Sequence, residues 1–265
     1  MNIGIIGYGY VGSAVAAAWS DRAHVRFHDP AVQGSVPLSE LVHDDVVFVC
    51  VPTPGRADGR ADLTAVLDVL GELAAAKATC AVVLKSTVPP GSTVALSARF
   101  PGLALAVAPE FLRERSAVED FLRPARLVLG FPPSTSEAAR DVVRNLLRER
   151  FEDTPVVELD PTAAELVKYS ANVFFAVKVG LAAELAELAS ALDVSWDDVR
   201  SGMALDPRIG ADHLRVPGDD GLPGFGGSCL PKDLAALLAL AEDLGRDTPV
   251  ARAAQTANQK RRGAG

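Results

Sequence analysis

The stretch Gly7-Tyr8-Gly9-Tyr10-Val11-Gly12 constrains this chain more than any other. It follows an apolar run, Asn2–Ile6, and opens a helical pattern, Val11–Ser20. Glycines at that spacing permit a tight turn, close approach of the backbone to a pyrophosphate, and close helix–sheet packing. The helix N-terminus then meets the phosphates with N–H groups that lack intrahelical partners. Asp29 closes a second apolar run, Val25–His28. It comes about twenty residues on, where a carboxylate bonds a ribose 2′-hydroxyl and disfavours a 2′-phosphate. The residues therefore predict a dinucleotide site, NAD rather than NADP, built on Gly7, Gly9, Tyr10, Val11, Gly12 and Asp29.

The rest of the first 160 residues continues the alternation. Short Val- and Ile-rich runs fall at Val46–Val51, Ala81–Lys85, Ala104–Ala108, Leu127–Gly130 and Val156–Leu159, with helical patterns such as Leu63–Ala76 and Glu137–Arg150 between them. Apolar runs without strict alternation are strands buried on both faces. Strands alternating with helices give right-handed crossovers and a mostly parallel sheet. After Pro161 the pattern turns helical, with Asp160 as an N-cap. A long segment, 162–192, precedes shorter ones near Asp197–Met203, Pro231–Leu244 and Pro249–Lys260. The prediction is an α/β, Rossmann-type doubly wound sheet over 1–160, followed by an all-helical domain over 161–265.

Charge and cysteine usage narrow the partners. Lys plus Arg number 26 against 34 Asp plus Glu, a formal net charge of −8. That balance argues against a nucleic-acid footprint. Three cysteines cannot form a disulfide framework, and no metal site is predicted. With no basic segment ahead of an apolar one, and no apolar run of about 20 residues, neither export nor membrane insertion is expected, so the chain is predicted to be cytoplasmic.

Cys50 and Cys80 sit in apolar runs and read as core. Cys229 lies in Gly224-Phe225-Gly226-Gly227-Ser228-Cys229-Leu230-Pro231-Lys232-Asp233. Pro231 suits a first helical turn, which sets the thiol at a helix N-terminus beside Lys232, where a thiolate is favoured. Lys168 and Asn172, four apart, share a helix face and together suit a substrate hydroxyl or an oxyanion. Thr87, in Ser86–Gly91, and the carboxylates Glu110 and Glu114 follow strands, at the edge where ligands bind in open α/β sheets.

Taken in order, these segments resemble the UDP-glucose/GDP-mannose dehydrogenase family. The resemblance rests on Gly-Tyr-Gly-Tyr-Val-Gly at 7–12, Cys-Val-Pro-Thr-Pro at 50–54, Ser-Thr-Val-Pro-Pro-Gly at 86–91, Pro-Glu-Phe-Leu-Arg-Glu at 109–114, Lys168 with Asn172, Arg-Ile-Gly at 208–210, and Gly224–Asp233. It implies oxidation of a primary alcohol to a carboxylate with two NAD, through a thiohemiacetal and a thioester on Cys229. It implies that Lys168, Asn172, and Asp233 with Thr87 handle the first proton, and that Glu114 assists the hydrolytic water. Glu110, Phe111, Leu112, Arg113, Arg208, Phe225 and Gly226 would contact a nucleotide-sugar or a related small molecule. Pro52, Thr53, Thr87, Glu114 and Lys232 would join the glycine loop around the cofactor. A homodimer through the long helix 162–192 is implied as well.

The sequence departs from the family pattern in four ways, one being a Val216–Pro223 stretch longer than the shortest family loops. The resemblance implies a third, nucleotide-sugar-binding domain that this sequence lacks; Arg115 stands where a Gly is usual; Ala183 precedes Glu184 where an Asn is common. Two alternatives share many of the same residues. A β-hydroxyacid dehydrogenase of the 6-phosphogluconate type would make one hydride transfer without a thiol, and a non-catalytic paralogue would bind NAD without turnover.

Overall fold

The computed structural model describes residues 1–263. Strands β1 (Asn2–Ile6), β2 (His24–His28), β3 (Val46–Val49), β4 (Ala81–Leu84), β5 (Ala104–Val107), β6 (Leu127–Gly130) and β7 (Val156–Leu159) form one sheet in the order β2-β1-β3-β4-β5-β6-β7. Every neighbouring pair is parallel except β5 with β6, which meet antiparallel at Val107 and Gly130. The strand order reverses at β1, which has β2 on one side and β3 on the other. That switch point places a crevice at the carboxyl ends of β1 and β3, where open α/β sheets take ligands.

The helices are α1 (Tyr10–Trp19), α2 (Thr64–Ala75), α3 (Ser92–Arg99), α4 (Ala117–Leu122), α5 (Glu137–Arg150), α6 (Pro161–Ala191), α7 (Trp196–Ala204), α8 (Leu230–Asp243) and α9 (Pro249–Arg262). Local chemistry sets several of their ends. Asp160 accepts the Thr162 N–H at 2.9 Å ahead of α6, and Ser136 and Ser195 cap α5 and α7. Proline stands in the first turn of α8 and of α9, where its missing N–H costs nothing.

The chain divides into two compact units. One comprises Met1–Pro54 with Asp62–Lys168; the other comprises Gly55–Ala61 and the chain from Tyr169 on. In the first, alternate strand residues feed two cores. Ile3, Ile5, Phe48, Val83 and Leu129 pack with Val15 and Trp19 of α1, Phe121 of α4 and Leu147 of α5. Val47, Val49, Val82, Leu84 and Leu105 pack with Leu70 and Leu73 of α2, Leu96 of α3 and Ala164 of α6. Each such side chain contributes about 1.5–3 kcal/mol by leaving water. Because both faces are covered there, β3, β4 and β5 read as unbroken apolar runs.

Two helices of this unit carry little sequence signal. α3 is short and rich in Ser, Thr and Val, and its start is fixed from elsewhere: the Glu165 carboxylate accepts from Gly91 N (2.6 Å), Thr93 N (2.7 Å) and Thr93 Oγ1 (2.6 Å). α4 has six residues, and its Asp120 accepts from the Arg113 backbone N–H and from Nε and Nη2 of its guanidinium. Arg113 in turn lowers the Asp120 carboxyl to about 2.

In the second unit Val173, Ala176 and Val179 of α6, Phe225 of the loop ahead of α8, Leu234 and Leu238 of α8, and Ala251 of α9 form one cluster. Trp196 anchors another with Ala182, Ala189 and Leu214, and its indole N–H donates to the Leu214 carbonyl at 3.0 Å. Among the described residues, no helix is long and apolar enough to cross a membrane.

Candidate active site

The three glycines of the first loop have three different reasons to be glycine. Gly7 has φ +88°, and a Cβ there would lie 2.8 Å from the Cys50 carbonyl. A Cβ on Gly12 would lie 2.0 Å from the Gly7 oxygen. A Cβ on Gly9 would meet nothing within 4 Å. Packing therefore requires Gly7 and Gly12, whereas the open space at Gly9 is the kind a ligand's phosphate fills. Gly9 is also the N-cap of α1, which has no side-chain cap and no acid in its first turn, so Tyr10 and Val11 begin a helix ready for an anion. Asp29 at the end of β2 accepts the Tyr8 N–H at 2.8 Å, tying the acid to the glycine loop. A dinucleotide with its pyrophosphate at Gly9 and a ribose at Asp29 fits this arrangement.

Loops after β3 and β4 complete the sheet's carboxyl edge. Thr53 Oγ1 donates to the Thr87 carbonyl at 2.8 Å, and Ser86 Oγ to the Val51 carbonyl at 2.7 Å. Pro52 between them is exposed. Beyond β5, Glu110 is buried and forms an ion pair with Lys168 Nζ at 2.7 Å; its other oxygen accepts the Leu112 N–H at 2.6 Å. The Lys168 ammonium also lies 5.7 Å from the centre of the Phe111 ring. The structure thus gives Glu110, expected at a substrate, the task of holding Lys168. Arg113 engages Asp120 at the surface, and Glu114 opens an exposed turn, Glu114–Ser116.

Sequence reasoning passed over Lys85. It is 4% exposed, lies 5.2 Å from the centre of the Phe121 ring, and has Cys50, Glu110 and Lys168 as its charged or titratable neighbours. Burial lowers its ammonium to about 8, partly opposed by Cys50 and Glu110. Burial likewise pushes the Cys50 and Cys80 thiols up to about 12, which makes both poor nucleophiles. The available signal was a charge closing an apolar strand run.

In the second unit Cys229 is the N-cap of α8 with Pro231 in the first turn, as the motif predicted. Its Sγ lies 3.5 Å from Ser228 Oγ, and its carbonyl accepts the Asp233 N–H at 2.9 Å. Asp233 is buried; its carboxylate accepts from Asn172 Nδ2 at 2.6 Å and from Lys232 Nζ at 2.5 Å. The amide, carboxylate and ammonium thus form one line at the start of α8. Arg208 is exposed and pairs with Asp206. Phe225, expected at a substrate, is 3% exposed and buried in the apolar cluster, so its side chain anchors the loop. Gly226 beside it is partly exposed.

Fold and site together define a dinucleotide-binding protein with a thiol poised on a separate helical unit. Residues 34–149 match the NAD binding domain of the UDP-glucose/GDP-mannose dehydrogenase family, and residues 162–260 its central domain. A UDP-glucose 6-dehydrogenase of Rickettsia conorii is 39% identical over 229 residues, 84% of this chain and 51% of that one. One of Haloferax volcanii is 33% identical, covering 97% and 69%. The structure titled a UDP-glucose dehydrogenase from Pyrobaculum islandicum superposes with a TM-score of 0.85 at 31% identity, over 98% of this chain and 68% of that one. The chain belongs to the UDP-glucose/GDP-mannose dehydrogenase family and carries its NAD-binding domain. It spans between half and about 70% of the length of these relatives.

Two outcomes follow from this geometry. Gly9→Ala is expected to abolish NAD binding, read by calorimetry, while changing stability by no more than about 1 kcal/mol. Gly12→Ala is expected to lose both NAD binding and about 1–3 kcal/mol of stability, because its methyl meets a carbonyl. For Lys85 the sign follows from its lowered native value. Between about pH 8 and the unfolded value of 10.5 the unfolded chain holds the proton that the native chain has released, so native stability rises with pH. Lys85→Met is therefore expected to melt higher than the parent at pH 7, with the gap closing by pH 10.5.

Proposed function

We propose that this chain is an NAD-dependent dehydrogenase that oxidises the primary alcohol of a nucleotide-sugar to a carboxylate, with residues 1–160 as its cofactor domain and 161–265 as its catalytic helical domain. The observation that carries the reading is the thiol at the N-cap of α8, one turn ahead of a buried Asp233 bonded by Asn172 and Lys232. Neither a single-hydride dehydrogenase nor a passive binding domain needs a nucleophile there. The reduced cysteines are consistent with a cytoplasmic setting.

The glycine loop Gly7–Gly12 and Asp29 would hold NAD, which would supply the hydride acceptor for the alcohol and again for the thiohemiacetal. The balance is alcohol plus water plus two NAD giving carboxylate, two NADH and three protons. The chain's own residues manage the rest. Lys168 and Asn172 hold the substrate hydroxyl, and Asp233 receives its proton through a water shared with Thr87. The Cys229 sulfur then adds to the aldehyde carbon while the carbonyl oxygen takes up a proton, giving a thiohemiacetal; loss of that hydroxyl proton and of a hydride leaves a thioester. A water assisted by Glu114 attacks that carbon, the carbon–sulfur bond breaks, and Cys229 is restored; Lys168 and Asn172 stabilise the oxyanion. The pair with Glu110 keeps Lys168 in place through both halves. Arg113, Arg208 and the backbone of Phe225 and Gly226 serve substrate recognition.

A homodimer belongs to the same reading. Phe174, Leu181 and Leu188 of α6 are 66%, 53% and 59% exposed and recur every seven residues, a stripe suited to the same helix of a second copy.

The purified chain is expected to release two NADH per acid from one of UDP-glucose, GDP-mannose or a UDP-N-acetylhexosamine. Cys229→Ser should lower acid formation by about a thousandfold or more. A clean aldehyde with one NADH, or a fully active Cys229→Ser, would overturn the thioester route. Leu181→Glu is expected to halve the mass seen by sedimentation; an unchanged mass would reject α6 as the contact.

A further inference from the structure

The glycine loop ahead of Cys229 is held by the last two turns of α9. Asn258 is buried and pairs with the Phe225 peptide in both directions: Phe225 N–H donates to Oδ1 at 2.8 Å, and Nδ2 donates to the Phe225 carbonyl at 2.9 Å. Arg262, one turn on, donates from Nη2 to the Gly224 carbonyl at 3.2 Å and from Nη1 to Asp220 at 2.7 Å. Asp220 also accepts the Leu222 N–H at 3.1 Å, and these contacts hold its carboxyl below the usual range. Below the loop, the Phe225 ring is locked among Val173, Leu234 and Leu238.

The same side chains explain the glycines. A Cβ on Gly224, which has φ +81°, would lie 2.3 Å from Asn258 Oδ1. A Cβ on Gly226 would lie 2.4 Å from Arg262 Nη1. Gly227 differs: it has φ +75°, is exposed, and a Cβ there would meet nothing within 4 Å. The loop is thus clamped through Gly224–Gly226 and open at Gly227, directly before Ser228 and Cys229. A side-chain amide bonded to both backbone groups of a buried residue fixes that stretch of chain as a strand partner would, and removing it leaves both groups unpaired.

We propose that Asn258 and Arg262 are positioning residues for the Cys229 thiol: by clamping Gly224–Gly226 from α9 they fix where Gly227, Ser228 and Cys229 present the nucleophile. This rests on the reading of Cys229 as the nucleophile. Both residues act through the loop, and neither belongs to the glycine loop that holds NAD.

The test compares Asn258→Ala, Arg262→Ala and Arg262→Lys in the full chain. Three quantities are read: kcat and KM for acid formation, NAD affinity, and the rate of Cys229 alkylation by iodoacetamide followed by mass spectrometry. Asn258→Ala and Arg262→Ala are expected to lower kcat tenfold or more with NAD affinity within twofold of the parent. They should also change the Cys229 alkylation rate at least threefold, with Arg262→Lys recovering part of both effects through its retained pairing with Asp220. Arg262 lies in the last turn of α9, so its variant supplies the answer if Asn258→Ala fails to fold. Folded variants with parental kcat and parental alkylation overturn the proposal, and so does a kcat loss matched by an equal loss of NAD affinity. If the parent forms no acid and matches Cys229→Ser, the nucleophile reading falls, and alkylation alone then decides the clamp: a threefold change supports it and an unchanged rate rejects it.

Discussion

Keeping charge out of water is the constraint on which this architecture depends. Glu110, Glu165, Lys168 and Asp233 are all buried, and an unpaired buried ion costs several kcal/mol even after relaxation. Each is answered by a specific partner: Glu110 by Lys168 and the Leu112 N–H, Glu165 by the start of α3, and Asp233 by Asn172 and Lys232. Because Lys168, Asn172 and the start of α3 come from parts of the chain distant from the carboxylates they meet, satisfying these charges also fixes loops to helices. The site residues are therefore held by the same interactions that make them costly to bury.

Glycine supplies the complementary device, and it serves two separate purposes. At Gly7, Gly12, Gly224 and Gly226 a side chain would strike neighbouring protein atoms, so these glycines are demanded by packing. At Gly9 and Gly227 the space beyond Cα is open, and each lies next to a helix N-terminus or an N-cap thiol. The first kind lets a loop sit tightly; the second keeps backbone N–H groups accessible to a ligand. A motif made of both kinds combines rigid placement with an exposed edge.

Much of this was legible in the sequence. The strands β1, β6 and β7 and the helix α5 fall where the sequence patterns put them: the buried strands β1 and β6 leave unbroken apolar runs, and the capped, amphipathic α5 leaves a helical period. The short helices α3 and α4 were not legible: a Ser/Thr/Val-rich run and a six-residue turn have little helical preference of their own. Glu165 bonds the start of α3, and Asp120 within α4 ties that helix to Arg113 of the preceding loop. The dinucleotide loop, Asp29 and the Cys229 motif could be read because spacing alone carries their geometry. The pairing of Glu110 with Lys168, the burial of Lys85 and the grip of Asn258 on Phe225 could not, since each joins residues far apart in the chain.

The sequence by itself therefore determined the parallel sheet and the helical second region, because apolar period and glycine spacing are local properties that survive without coordinates, and its motifs carried the family resemblance. Only the tertiary structure decided which groups each charged or amide side chain meets. Glu110 holds a lysine, Phe225 anchors a loop and Asn258 completes a buried peptide. The physical reason is that an ion pair or a two-way amide bond requires groups within about 3 Å of each other, and chain distance says nothing about which groups will meet.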